Sequence, residues 1–167
     1  MPTGLKQTSS VVAIGFGVSE SAANTFTQGE VDLNLSPLDR EVFVVLAINL
    51  DPFTPDLSAT DSKVECSLTT TSQTGVVNLS SSNCLAASGN FIKADATRAV
   101  ALQSMAGETP PATLDYIGII ATNDFFIQVK GSGNTITRSL RGKLYGYRAR
   151  ASADIYAALV QSEVLSA

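Results

Sequence analysis

The chain has 167 residues, of which 44% are hydrophobic and only 16% charged, with a formal net charge of −4 and no histidine. That length supports a substantial core, burying roughly 70% of the surface that the unfolded chain exposes, and residues 1–167 read as a single β-sandwich domain. The missing histidine removes the commonest general base, the commonest zinc ligand and the usual serine triad, while Cys66 and Cys84 are too few for a disulfide framework and read as small hydrophobes.

In chain order, residues 1–17, MPTGLKQTSSVVAIGFG, carry one lysine and a short, glycine-interrupted apolar patch. This is not the pattern of a signal peptide. No window approaches the roughly 18 consecutive apolar residues of a membrane helix, so a transmembrane chain is not expected. Residues 9–17 suggest a first strand. Residues 25–35, TFTQGEVDLNL, alternate, with Val31, Leu33 and Leu35 on one face and Glu30, Asp32 and Asn34 on the other, as in a half-exposed strand.

Ser36, Pro37, Leu38 and Asp39 turn the chain into Glu41–Pro52, EVFVVLAINLDP, the longest nearly uninterrupted apolar run. Its β-branched residues Val42, Val44, Val45 and Ile48 predict a central strand covered on both faces. Asn49 is its one polar intrusion before Asp51, expected to find hydrogen-bond partners beside the following loop. That loop, residues 51–62, holds two prolines after its start and is long enough to form an interface.

Lys63–Thr71 resumes alternation, with Val64, Cys66 and Leu68 inward. Residues 78–90, NLSSSNCLAASGN, suggest a polar connection with turn chemistry throughout. Phe91–Asp95 and Arg98–Met105 fit either two strands or one short helical piece. GETPPATLD is a loop, because Pro110 and Pro111 cannot both sit in a regular element, and 106–115 joins 51–62 as an expected contact region. Tyr116–Thr122 and Phe125–Lys130 are two apolar runs, forming a hairpin or one long bent strand. After the GSGN turn, Thr135–Arg150 is a final strand or hairpin arm, and Ser152–Val164 changes to helical spacing at Ile155, Leu159 and Val160.

Seven to nine short strands separated by proline-, glycine- and serine-rich connections predict an all-β fold, a single jelly-roll type sandwich or barrel with a short C-terminal helix. Charge is distributed unevenly along it. Residues 1–129 carry thirteen acids and five bases, residues 130–150 six bases and no acid, and the last seventeen two acids. If the basic stretch is extended, Arg141, Lys143, Tyr145 and Tyr147 project to one side, and Leu140, Leu144, Arg148 and Arg150 to the other. Arg141, Lys143, Tyr145, Tyr147, Arg148 and Arg150 are therefore candidates for contact with a polyanion such as nucleic acid, anionic lipid or a polyanionic receptor. The plainer reading is a sheet face whose arginines pair with acids of a neighbouring subunit.

Other chemistry is thin. The glycines of GFG at 15–17 and GSG at 131–133 lack the lysine and helix of a phosphate loop. Asp51, Asp56 and Asp61 supply the oxygen ligands calcium takes, but not at EF-hand spacing. The carboxylates of the first 65 residues fall mostly in loops or on outward faces, so no glycosidase-like pair stands out. No catalytic residue, metal ligand or cofactor is expected, and no small-molecule substrate.

A histidine-free β protein of this size, with a serine- and threonine-rich surface, the proline loops at 51–62 and 106–115 and a terminal helix, resembles the single jelly-roll capsid proteins of tailless icosahedral viruses. The resemblance implies a virion protein that assembles with copies of itself and with other virion proteins through loop contacts, in host cytoplasm, with residues 130–150 facing genome or inner membrane. A β-sandwich module binding carbohydrate or a cell-surface receptor, as on a spike or adhesin, is the alternative.

Overall fold

The computed structural model describes residues 2–104 and 114–167. Ten strands precede one helix among them: β1 Leu5–Gln7, β2 Val12–Ser19, β3 Thr27–Asp32, β4 Glu41–Pro52, β5 Ser62–Thr69, β6 Cys84–Ala94, β7 Ala99–Ser104, β8 Gly118–Ile120, β9 Asp124–Ser132, β10 Ser139–Ala151 and α1 Ala153–Leu165. The proline pair of the predicted 106–115 loop lies outside the described residues.

Two antiparallel sheets form. One runs β2–β10–β4–β8, with β1 beside the far end of β10, and the other runs β3–β9–β5–β6–β7. Setting aside β1 and β7, the eight remaining strands pair as β2 with β10, β3 with β9, β4 with β8 and β5 with β6. First meets last, second meets seventh, third meets sixth and fourth meets fifth. That nesting is a long hairpin rolled into a sandwich, which is the jelly roll. The fold is thus all-β, a jelly-roll sandwich closed by a C-terminal helix.

The core between the sheets takes Phe43, Val45 and Leu50 from β4, Leu140 and Leu144 from β10, Val64, Cys66 and Leu68 from β5, and Phe125, Ile127 and Val129 from β9. Phe16 meets Phe125 edge to face at 5.7 Å between centroids. Two glycines of β10 make room for aromatic rings. A Cβ on Gly142 would strike the Phe16 ring and the Asn49 carbonyl, and one on Gly146 would strike the Phe43 ring and the Val44 carbonyl.

The central run occupies β4 with the predicted bounds. Its lack of alternation has a specific cause: against β10 the register steps from Ala47↔Tyr145 to Val45↔Gly146. Leu46 is the extra residue of a bulge, which switches the inward set from Phe43 and Val45 to Ile48 and Leu50. Coverage on both faces holds only before that bulge. Val42 and Val44 pack on their outer side with Tyr147, Ile155, Tyr156 and Leu159 under α1, whereas Ala47 and Asn49 are exposed. Asn49 faces solvent and does not anchor the next loop.

Two further expectations change, and one open alternative is settled. The stretch 78–90 is a connection only to Asn83, because β6 starts at Cys84 and pairs with β5 across Ser67↔Ala87 and Cys66↔Ser88. Phe91–Asp95 and the described part of Arg98–Met105 resolve as strands, joined by a turn in which Asp95 accepts from the Thr97 and Arg98 amides. Tyr116–Thr122 and Phe125–Lys130 are neither a hairpin nor one strand: β8 pairs with β4 in one sheet and β9 with β3 and β5 in the other. The short link between them crosses the sandwich.

That crossing is clamped from outside. The buried Glu163 of α1 accepts the Ala121 amide at 2.6 Å and the Thr122 amide at 3.0 Å, and burial pushes its carboxyl above the ordinary glutamate range. On the outer face of the second sheet, the fully buried Gln128 donates to Thr69 Oγ1 and Gln28 Oε1 and accepts from Ser67 Oγ, holding the 70–83 connection against the strands.

Candidate interaction surface

The outer face of the first sheet has two halves. Along β10, Leu140 and Leu144 point into the core, so the odd-numbered residues point out. From Tyr147 to Ala151 this face is sealed by α1. From Arg141 to Tyr145 it is open, and its neighbours are small: Arg141 lies between Gly17 and Asp51, Lys143 between Gly15 and Asn49, and Tyr145 between Ala13 and Ala47. The result is a low-relief strip with two cations and one aromatic standing among glycine, alanine and Asn49, with Asp51 beside Arg141.

Arg141 is exposed and its guanidinium carbon lies 4.6 Å from the centroid of the Phe53 ring, a cation–π contact that holds the side chain along the sheet. Lys143 is exposed and makes no ion pair among the described residues. Tyr145 is half-buried. These three of the six predicted contact residues come together.

The other three do not join them. Tyr147 shares their face but is 6% exposed beneath the helix, and burial, with the charge of Asp115, raises its hydroxyl pKa. Arg148 turns to the strand end, donating to the Leu33 carbonyl at 2.7 Å, the Asn34 carbonyl at 3.0 Å and Glu41 at 3.2 Å. Arg150 approaches Asp39 at 3.4 Å. Strand parity in the sequence separates Arg148 and Arg150 from the strip, but only the docking of α1 removes Tyr147.

The polar loops are ordered by their own carboxylates. Asp56 pairs with Arg138 and accepts the Thr135 amide and hydroxyl, each at 2.7 Å. Glu20, buried, accepts the Gly131 amide at 2.6 Å and the Arg138 amide at 2.8 Å. Asp61 accepts the Ala94 amide and engages Lys93, which lower its pKa. Asp56 and Asp61, two of the three aspartates read as calcium-type ligands, are therefore committed to side chains and amides, and no group of three potential ligands is placed to hold a metal among the described residues. Burial pushes the Cys66 thiol up to about 12, and Cys66 and Cys84 are both free. A thiol so held is a packing group and not a nucleophile.

Sequence reasoning missed one feature. Large apolar side chains stand exposed on four connections: Leu38 at 96%, Leu57 at 75%, Leu79 at 58% and Ile136 at 60%. Leu57 and Ile136 follow directly on Asp56 and Thr135, so the hydrogen bonds between those two hold a pair of exposed apolar residues on neighbouring loops. Each is visible in the sequence as an apolar residue inside a polar loop.

No family model matches the chain, and no curated protein matches it. Among solved structures, a chain from Desmodium yellow mottle tymovirus is similar over 92% of this chain and 89% of that one, with 10% identity and a TM-score of 0.32. A superposition that loose carries no argument, and the jelly-roll assignment rests on the strand pairing above. Among the described residues no helix is long and apolar enough to cross a membrane.

Proposed function

We propose that this chain is a structural virion protein, a capsid subunit in which residues 1–167 act as one jelly-roll unit that assembles with copies of itself. The observation that carries the reading is the exposed apolar side chains on the β3–β4, β4–β5, β5–β6 and β9–β10 connections. Exposed apolar groups on an ordered scaffold mark protein contacts. Jelly rolls serve in viral shells, where a rigid sandwich presents its loops to neighbours. In this role the strip of Arg141, Lys143 and Tyr145 contacts a polyanion, genome or anionic lipid, and the protein resides in the virion.

Size-exclusion chromatography with electron microscopy of the purified chain tests the proposal. Discrete large assemblies are expected, and a strictly monomeric protein across salt and concentration contradicts it.

A binding module for carbohydrate or a cell-surface receptor is the second reading, favoured by one cavity. It has a volume of about 520 Å³ on the outer side of the second sheet, lined by Glu65, Val77, Leu79 and Phe91 among others. A monomer giving a specific hit on a glycan array would select that reading.

A further inference from the structure

We infer that β7 is a self-pairing strand: the edge of the second sheet adds β7 of a second copy, antiparallel, about a two-fold axis at Ala101. The inference deepens the self-assembly reading and rests on it, naming a surface that the loops alone do not supply.

The edges of the two sheets decide where a further strand can add. An unpaired edge strand is a template for another strand, and proteins blunt such edges with shortness, charge, proline, bulges or cover. In the first sheet the β8 edge has only three residues. The β2 edge leans on β3, where a Cβ built on Gly29 would sit 3.5 Å from Cβ of Val18. In the second sheet β3 carries Glu30 and Asp32, and a hydrogen bond to Asp124 together with the charges of Asp124 and Asp32 raises the Glu30 pKa. A second strand approaching there meets crowded carboxylates.

Among the described residues, the β7 edge shows none of these devices. Its six residues, AVALQS, include no charge, proline or glycine, and pair with β6 without a register shift. All six are exposed, Val100 by 59% and Leu102 by 53%.

The sequence of β7 also suits its own copy. With Ala101 on the axis, Val100 of each copy lies opposite Leu102 of the other, and Ala99 lies opposite Gln103. Leu102 is already beside Phe91 in its own sheet, so the valines and leucines of both copies join the phenylalanines in one apolar band on the outer face. Cross-strand pairs of this kind stabilise a sheet. No like charges are opposed. A slip of one residue would set the outer face of one copy beside the core-facing side of the other, and an axis at Ala101, unlike one at Val100 or Leu102, sets each valine opposite a leucine.

The test is disulfide trapping in the full chain. Ala101→Cys places two thiols across the axis and should give a covalent dimer under mild oxidation. Ala158→Cys, exposed on α1 and off the edge, should give roughly ten-fold less. A second variant, Leu102→Lys, puts a charge on the edge and should weaken dimerisation roughly ten-fold or more, with an unchanged circular dichroism spectrum. Trapping of Ala101→Cys no faster than Ala158→Cys, or dimerisation untouched by Leu102→Lys, overturns the strand pairing. If large assemblies form while both variants behave like wild type, the pairing is wrong and the self-assembly reading stands. A chain monomeric at every concentration refutes both.

Discussion

Tyr145 and Tyr147 lie two residues apart on the same face of the same strand, yet one borders an open strip and the other is sealed under a helix. Tyr145 sits between Ala13 and Ala47, beside Lys143 and Arg141. Tyr147 packs with Val42, Val44, Ile155 and Leu159. The difference arises outside the strand. After Ala151 the chain turns at Ser152, and α1 runs back over one half of the sheet, its close approach permitted because Gly4 has no Cβ to strike Ile155. The same face therefore contributes stability at one end and an accessible surface at the other.

Substitutions on either side of that boundary should separate the two roles. Tyr147→Ala should produce the largest loss, about 3 kcal/mol, because it opens a cavity beneath the helix, read as a lower midpoint in urea unfolding. Tyr145→Ala should shift the same midpoint far less. If the two variants are equally destabilised, the division of the face fails.

Next is Glu163→Ala, which strands the Ala121 and Thr122 amides and should cost about 2 kcal/mol. This effect depends on pH. The folded-state pKa of Glu163 is raised, so the folded chain takes up the proton before the unfolded chain does. Its stabilising contribution is full below the ordinary glutamate range and declines as pH rises through the raised value. The gap in stability between wild type and Glu163→Ala should accordingly narrow from acidic to neutral pH, and a gap that widens would contradict the assignment.

The smallest effect on stability belongs to the open strip. Arg141→Ala with Lys143→Ala should change unfolding by no more than about 0.5 kcal/mol. The same pair should lower affinity for a single-stranded polynucleotide and reduce the slope of log affinity against log salt by roughly two. Binding that keeps its slope in the double variant would remove the strip from polyanion contact.

Much of this architecture is legible in the sequence where local pattern and tertiary environment agree. Glu41–Pro52 is apolar enough to stand out as the central strand, and the shift to alanines and helical spacing after Ser152 marks α1. What pattern could not supply is partnership. Gly118–Ile120 and Asp124–Ser132 lie close in sequence but belong to different sheets, a choice made by the roll of the whole hairpin. Cys84–Asn90 reads as turn chemistry because its small polar residues sit where the strand is covered by neighbours. Tyr147 follows the right parity for an exposed cation strip, and only the landing place of a helix beyond the strand withdraws it.

Self-assembly of this chain is tested most directly by sedimentation velocity on the purified full chain over a range of protein concentrations. Concentration-dependent growth from subunit to a discrete large species is expected, with the β-rich circular dichroism spectrum unchanged. A single monomeric boundary at every concentration and salt would contradict it.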